Sequence, residues 1–267
     1  MTIQSTPPRR LSRTGTWVRG AVGVAVLFAA SEALGRAGIV DRSYLPPASD
    51  VVVRAAELAT DTEFLFNVRV TLTAWALGLL SAIAIAVPLG LLLGSVPAVN
   101  TATRAIVEFL RPIPSVALIP LAALLLGSGL EMEVPLIIYA SSWPILFNTM
   151  YGLDEVDPTA KETLRSFGFG RMQVLLRVSL PSAAPFIATG IRLAAAIALI
   201  LAIGTEILSG FGDGLGTFIG EAGITLNGVE DVLAGTVWAG CIGLIIDAAL
   251  VRGEHRVFHW HHARQAS

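Results

Sequence analysis

The histidines offer little for catalysis. All four, His255, His259, His261 and His262, fall in the last thirteen residues. No serine or aspartate stands in a recognisable Ser-His-Asp arrangement with them, and no His-Glu-x-x-His run exists. His259-Trp260-His261-His262 has metal-binding character, but no cysteine or carboxylate set completes a site, so a solvated tail is the reading. The single cysteine, Cys241, excludes an internal disulfide framework and a multi-cysteine metal centre. It lies in an apolar run and reads as a small buried hydrophobe. The one lysine, Lys161, follows Ala160 and so completes no Gly-Lys-Ser/Thr phosphate loop. No cofactor is called for. What remains is reversible ion pairing, concentrated between Asp157 and Pro185, where Lys161, Glu162, Arg165, Arg171 and Arg177 cluster between hydrophobic runs.

Local chemistry predicts how that stretch presents its charges. Asp157 is a good helix N-cap, and Pro158 suits the first helical position, where a missing N–H costs nothing. Thr159 to Phe167 then forms a short helix, and Gly168 tolerates the positive φ of a helix end. A second run, Arg171 to Ser179, is expected to stop at Leu180-Pro181. The stretch reads as a helix-turn-helix knob on one membrane face. The plain alternative is an ordinary loop between membrane helices.

The surroundings are those of an all-α polytopic membrane protein. The 267 residues are 54% hydrophobic and 14% charged, against about 25% charged in soluble domains. Mean hydropathy is +0.71. A net charge of −2 supplies no bulk basic field for nucleic acid. Residues 1–16 are polar and expected to be a disordered cytoplasmic N-terminus. Residues 17–251 form the transmembrane domain, with a cytoplasmic loop at 153–184, and 252–267 form a basic tail. Six spans are expected at about 17–38, 68–94, 105–126, 135–152, 186–208 and 232–251. The first run also has the look of a signal peptide, but it continues past Ala33 and a bundle follows.

Several details within the spans are informative. Glu32 and Arg36 can pair at i, i+4. Pro46 and Pro47 precede an amphipathic helix at 51–59, capped by Ser49 or Asp50. Pro88 is expected to kink the second span. Pro112, Pro114 and Pro120 break the third, which a bilayer tolerates where protein or a wet cavity satisfies the freed groups. Glu108 can neutralise Arg111. A translocation path beside Pro112, Pro114 and Ser115, with Ser141, Asn148 and Arg192 as further polar points, stands against simple packing distortion and against Arg192 snorkelling to headgroups. Asp247 is placed to pair with the basic tail. Six spans put both termini on the side that holds twelve basic residues, Lys161 and Arg165 among them. The opposite side holds Arg36, Arg42, Arg54 and Arg69. The positive-inside rule then makes the termini and the knob cytoplasmic.

Glu162, five residues, Gly168, nine more and then Val178-Ser179-Leu180-Pro181 resembles the EAA signature of permease subunits in ABC importers. Thr163 and Leu164 stand where alanines are usual. Leu45-Pro46-Pro47-x-Ser49, Phe109 to Pro114, Pro144 to Thr149 and Gly190 to Ala194 are similar to the nitrate, sulfonate and taurine branch. The resemblance implies the type I importer transmembrane fold with six helices. It implies an integral protein of the bacterial cytoplasmic membrane with no ATPase activity of its own. Its partners would be two cytoplasmic ABC ATPase subunits, a second permease chain in a homodimer, an extracytoplasmic solute-binding protein and membrane lipid. Glu162, Thr163, Arg165, Gly168, Leu180 and Pro181 would couple to the ATPase. A small oxyanion or sulfonate is the expected solute, with a heterocyclic vitamin precursor such as a pyrimidine as the alternative. An ion-coupled secondary transporter would want midplane ion ligands and an inverted repeat. A membrane enzyme would want a catalytic constellation.

Overall fold

The computed structural model describes residues 13–38, 41, 43–110, 112–210, 212–225 and 228–257. Residues 1–12, Arg42, Arg111 and the tail from 258, with His259, His261, His262 and Arg264, lie outside the described residues. Every regular element among the described residues is helical. Its helices are α1 (Arg13–Arg36), α2 (Ala48–Leu58), α3 (Thr62–Ser95), α4 (Pro97–Leu110), α5 (Ile119–Leu126), α6 (Leu130–Asp154), α7 (Pro158–Ser166), α8 (Arg171–Val174), α9 (Leu180–Ser209), α10 (Leu215–Ile224) and α11 (Val229–Val257). A 3-10 turn, Ser115–Leu118, precedes α5, and a π-turn, Leu175–Ser179, joins α8 to α9.

Among the described residues five helices are long and apolar enough to cross a membrane. A sixth span exists if Thr101–Leu110 and Ser115–Leu126, bent by 74°, are taken together. This is the six-span, all-α plan expected from hydropathy. The spans run longer than expected. The helix continues through Pro88 in α3. The run Arg171–Ser209 is an unbroken helical stretch of 39 residues, about 58 Å at 1.5 Å per residue, against roughly 30 Å of hydrocarbon. Its N-terminal part must therefore project beyond the bilayer. Leu180-Pro181 does not end a helix as expected. The π-turn widens the backbone just before Pro181 and accommodates the ring that would crowd the carbonyl four residues back.

The centre of the bundle is α3, α6 and α9. Its buried face is built from small residues, Ala74, Ala82, Ala86, Ala140, Ala194, Ala195, Ala198 and Ala202, which let backbones approach closely. The Trp75 indole N–H donates to Ala195 O at 2.9 Å and fixes α3 against α9. A second cluster joins α2, α3, α10 and α11. There Phe64 meets Phe218 and Trp238 edge-on, with ring centroids 5.0 and 5.6 Å apart. The Trp238 N–H donates to Ala55 O at 2.9 Å. The start of α3, the start of α6, the end of α9 and α10 thus share one face. The end of α6, α7 and the start of α9 share the other.

The expected Glu32–Arg36 pair forms, at 2.6 Å, and Glu32 also accepts from the Ser49 N–H and hydroxyl. Cys241 is exposed on α11 rather than buried. It stands two turns beyond the buried Ala234 on the same face of the helix, next to the buried Ile242.

Candidate functional site

The knob forms as local chemistry dictates. The Asp157 carboxylate accepts from the Thr159 N–H at 2.8 Å and caps α7, with Pro158 in the first turn. The C-terminal end of α7 closes with the Gly168 N–H on Arg165 O at 2.9 Å and the Phe169 N–H on Leu164 O at 3.1 Å. Those two bonds are a Schellman motif, and Gly168 supplies its left-handed residue at φ +82. The Gly170 N–H donates to the Gln173 side chain at 3.0 Å, which starts α8. The Arg177 guanidinium lies over the Phe169 ring, 4.8 Å from its centroid. Lys161 Nζ donates to Leu153 O at 3.0 Å, so the lysine pins α7 to the last turn of α6 rather than projecting.

With its backbone satisfied from within, the knob leaves its outer surface free. Glu162, Thr163, Arg165 and Gly168 are exposed, and α7 buries no residue. Leu180 is partly buried and Pro181 exposed at the re-entry of α9. Two apolar residues that the sequence does not single out stand beside the charges: Phe167 is 78% exposed and Met172 is 65% exposed. An apolar residue immediately before a C-terminal glycine, in an otherwise polar loop, is the signal that marks Phe167. Exposed apolar groups flanked by charge are what an obligate partner would cover.

The expected path residues are distributed over three places. Pro112, Pro114 and Ser115 lie in the break of the third span. Tyr139, not singled out from sequence, donates its hydroxyl to Leu110 O at 2.8 Å and satisfies a carbonyl at that break. A cavity of about 500 Å³, lined by Val116, Ile119, Pro120, Gly127 and Leu208, opens beside it. Ser141 is buried in the α6–α9 contact and donates to Ala194 O at 3.3 Å. The Asn148 amide donates to Pro144 O on its own helix at 2.8 Å. Arg192 turns toward α11, 4.0 Å from Asp247 and 3.7 Å from Glu254, so Asp247 faces Arg192 among the described residues.

Residues 86–258 match the family described as the binding-protein-dependent transport system inner membrane component. The chain belongs to this family. It is an ABC importer permease, and its helices are those of an inner-membrane protein. It is 36% identical over 184 residues to a putative ABC transporter permease protein of Methanocaldococcus jannaschii, covering 68% of each chain. It is 28% identical to the taurine transport system permease protein of Escherichia coli, over 84% of this chain and 82% of that one. It is 27% identical to a nitrate import permease protein of a Synechocystis strain, over 86% and 85%. Two solved folds are similar. The MetNI methionine ABC transporter in inward-facing conformations has TM-score 0.64 at 20% identity, over 72% of this permease and 95% of that chain. A bacterial ABC transporter that imports alginate has TM-score 0.65 at 17% identity, over 91% and 96%.

Proposed function

We propose that this permease is half of a homodimer that moves a small solute, nitrate-, sulfonate- or taurine-like, from an external binding protein into the cytoplasm. Two ATPase subunits on the cytoplasmic side would drive it. The observation that carries the reading is the knob. It satisfies its own backbone, presents Glu162, Arg165 and Phe167 outward, and stands on a helix too long for the bilayer. A rigid lever for a partner has this form. In the proposed cycle ATP closes the ATPase dimer, and residues 157–170 transmit the motion. The two permease chains then rock from inward- to outward-facing. Glu162 would meet a basic group of the ATPase, Phe167 would fill an apolar recess, and Gly168 holds the turn. Leu180 and Pro181 set the return into the membrane. Knob and termini face the cytoplasm in this arrangement, which the distribution of basic residues supports.

The names of the relatives support a solute with an oxyanion group, since taurine, nitrate, aliphatic sulfonates and bicarbonate recur among them. The proposed path runs by the break at Pro112, Pro114 and Ser115, with Ser141, Asn148 and Arg192 deeper along it. Co-expression with the neighbouring genes and purification in mild detergent tests the coupling. A phosphate-loop ATPase should co-purify with the wild type and be lost from Glu162→Arg. A wild-type chain that stays alone, or a Glu162→Arg chain that keeps its ATPase, would overturn the assignment of the knob. Uptake of labelled taurine, nitrate and bicarbonate into proteoliposomes then separates the solutes. Unchanged uptake in a Pro112→Ala, Pro114→Ala double variant would remove the path from the third span.

A further inference from the structure

The face opposite the knob carries a construction for which the coupling mechanism has no use. Helix α10 begins with the sequence Gly214-Leu215-Gly216, and the first-turn N–H groups of a helix have no partners of their own. Here three successive N–H groups are taken by three side chains from two other spans. Gly214 N–H donates to Asn67 Oδ1 at 2.8 Å. Leu215 N–H donates to Thr71 Oγ1 at 2.8 Å. Gly216 N–H donates to Glu206 Oε2 at 2.6 Å. The Thr71 hydroxyl in turn donates to the Glu206 carboxylate, 2.7 Å from Oε1. Thr71 and Glu206 are both 1% exposed. Asn67 and Thr71 stand one helical turn apart on α3, and Glu206 belongs to the last turn of α9.

The glycines are required by this closeness. A Cβ on Gly214 would meet the Glu206 carboxyl group, and one on Gly216 would meet the carbonyl oxygen of Ile203. Gly214 also sits at φ +153, where side chains are disfavoured. These hydrogen bonds offset the burial of the Glu206 carboxyl group.

We propose that Asn67, Thr71 and Glu206 form a clasp that makes α10 a rigid extension of α3 and α9. Glu206 is its positioning residue. Resting on the permease reading, this clasp makes the rim opposite the knob move as one piece with the central spans, and Glu221 and Ile224, exposed on α10, move with it. The clasp works through hydrogen bonds, so an amide in place of the carboxylate holds it. In Glu206→Gln the amide oxygen would accept from the Gly216 N–H, and the amide NH2 would donate to the second lone pair of the Thr71 hydroxyl.

The test is hydrogen exchange by mass spectrometry on the purified full chain, which needs no ATPase, binding protein or solute. Failure of the clasp is therefore separate from failure of the permease reading. In Glu206→Ala the amides of 214–216 should exchange about tenfold faster or more, while 136–146 of α6 stays protected. Glu206→Gln should restore protection, which a bulk loss of packing would not predict. Spin labels at Ile224 and on α3, in a Cys241→Ser background, should show a narrow distance distribution in the wild type and in Glu206→Gln. It should be broad in Glu206→Ala. Should Glu206→Ala not fold, Thr71→Val makes the same measurement. Unchanged exchange in the alanine or valine variant, or a Glu206→Gln chain as loose as the alanine one, would overturn the clasp.

Discussion

The two faces of this permease solve one problem in opposite ways. Each must close the N-terminal end of a short helix and turn the chain sharply with a glycine at positive φ. At the knob the cap is Asp157 on Thr159, two residues away, and the turn at Gly168 bonds back to Arg165 and Leu164. At the clasp the caps come from far along the chain: Thr71 reaches Leu215 across 144 positions and Asn67 reaches Gly214 across 147. The knob is therefore self-contained, and its outer surface is free for another protein. The clasp is buried in the bundle and cannot change without disturbing three helices. Local satisfaction suits a docking element, whereas non-local satisfaction suits a joint.

The most severe way to break this contrast is to add the same side chain at one glycine of each face, Gly216 and Gly168. Gly216→Val must displace the Ile203 backbone, an overpacking of the kind that costs about 1–3 kcal/mol or more. For a chain of this size each kcal/mol is worth roughly 2–4 °C, and the detergent melting temperature should fall accordingly. Gly168→Val has open space around its Cβ and only backbone strain to bear. The exposed knob can relieve that strain by opening locally, so the bundle should melt close to the wild type, with uptake lost. Equal melting shifts in the two variants would mean that the faces do not differ as described.

Thr71→Val sharpens the same point at nearly constant volume. It leaves the Leu215 N–H without a partner and removes one donor from Glu206, at about 1–3 kcal/mol for an unsatisfied buried group. Melting should drop by several degrees. The matching change at the knob, Asp157→Ala, removes an exposed cap worth about 1 kcal/mol. It should quicken proteolysis within 155–170 without moving the melting temperature.

This division explains which features are legible in the sequence. The spans show because each is a long apolar run, and the knob shows because Asp157, Pro158 and Gly168 sit at fixed local offsets. The clasp is invisible there because no local pattern relates Asn67 and Thr71 to Gly214 and Leu215. Only the packing of α3, α9 and α10 brings them together. Pro181 misleads for a related reason. A proline before an apolar run reads as a boundary, and the π-turn that carries the helix through it leaves no residue signature. Cys241 reads as buried because an apolar run does not distinguish a helix surface covered by protein from one left exposed. The partners of Arg192 are likewise illegible, because Asp247 and Glu254 lie 55 and 62 positions further along.

The smallest expected effect lies at the edge of the clasp face, where Arg54 of α2 reaches Asp231 of α11 at 2.6 Å and Glu57 at 3.0 Å. The hydrogen bond to Asp231, followed by that to Glu57, raises the Arg54 guanidinium above its ordinary value. A folded-state value raised in this way stabilises at every pH below the unfolded one and is lost only as pH climbs through the folded value. Between pH 6 and 9 this contribution should be flat. The pair is about one-third exposed on each side, so water screens it and Asp231→Asn should cost no more than about 1 kcal/mol. That loss should shrink as salt is raised toward 1 M, where the Debye length is about 3 Å. The clasp, shielded from solvent, should show no such salt dependence. A melting series of Asp231→Asn and Thr71→Val at low and high salt compares the two directly. If Thr71→Val loses its effect in salt as Asp231→Asn does, the clasp is wet, and the buried joint becomes a surface contact like its neighbour.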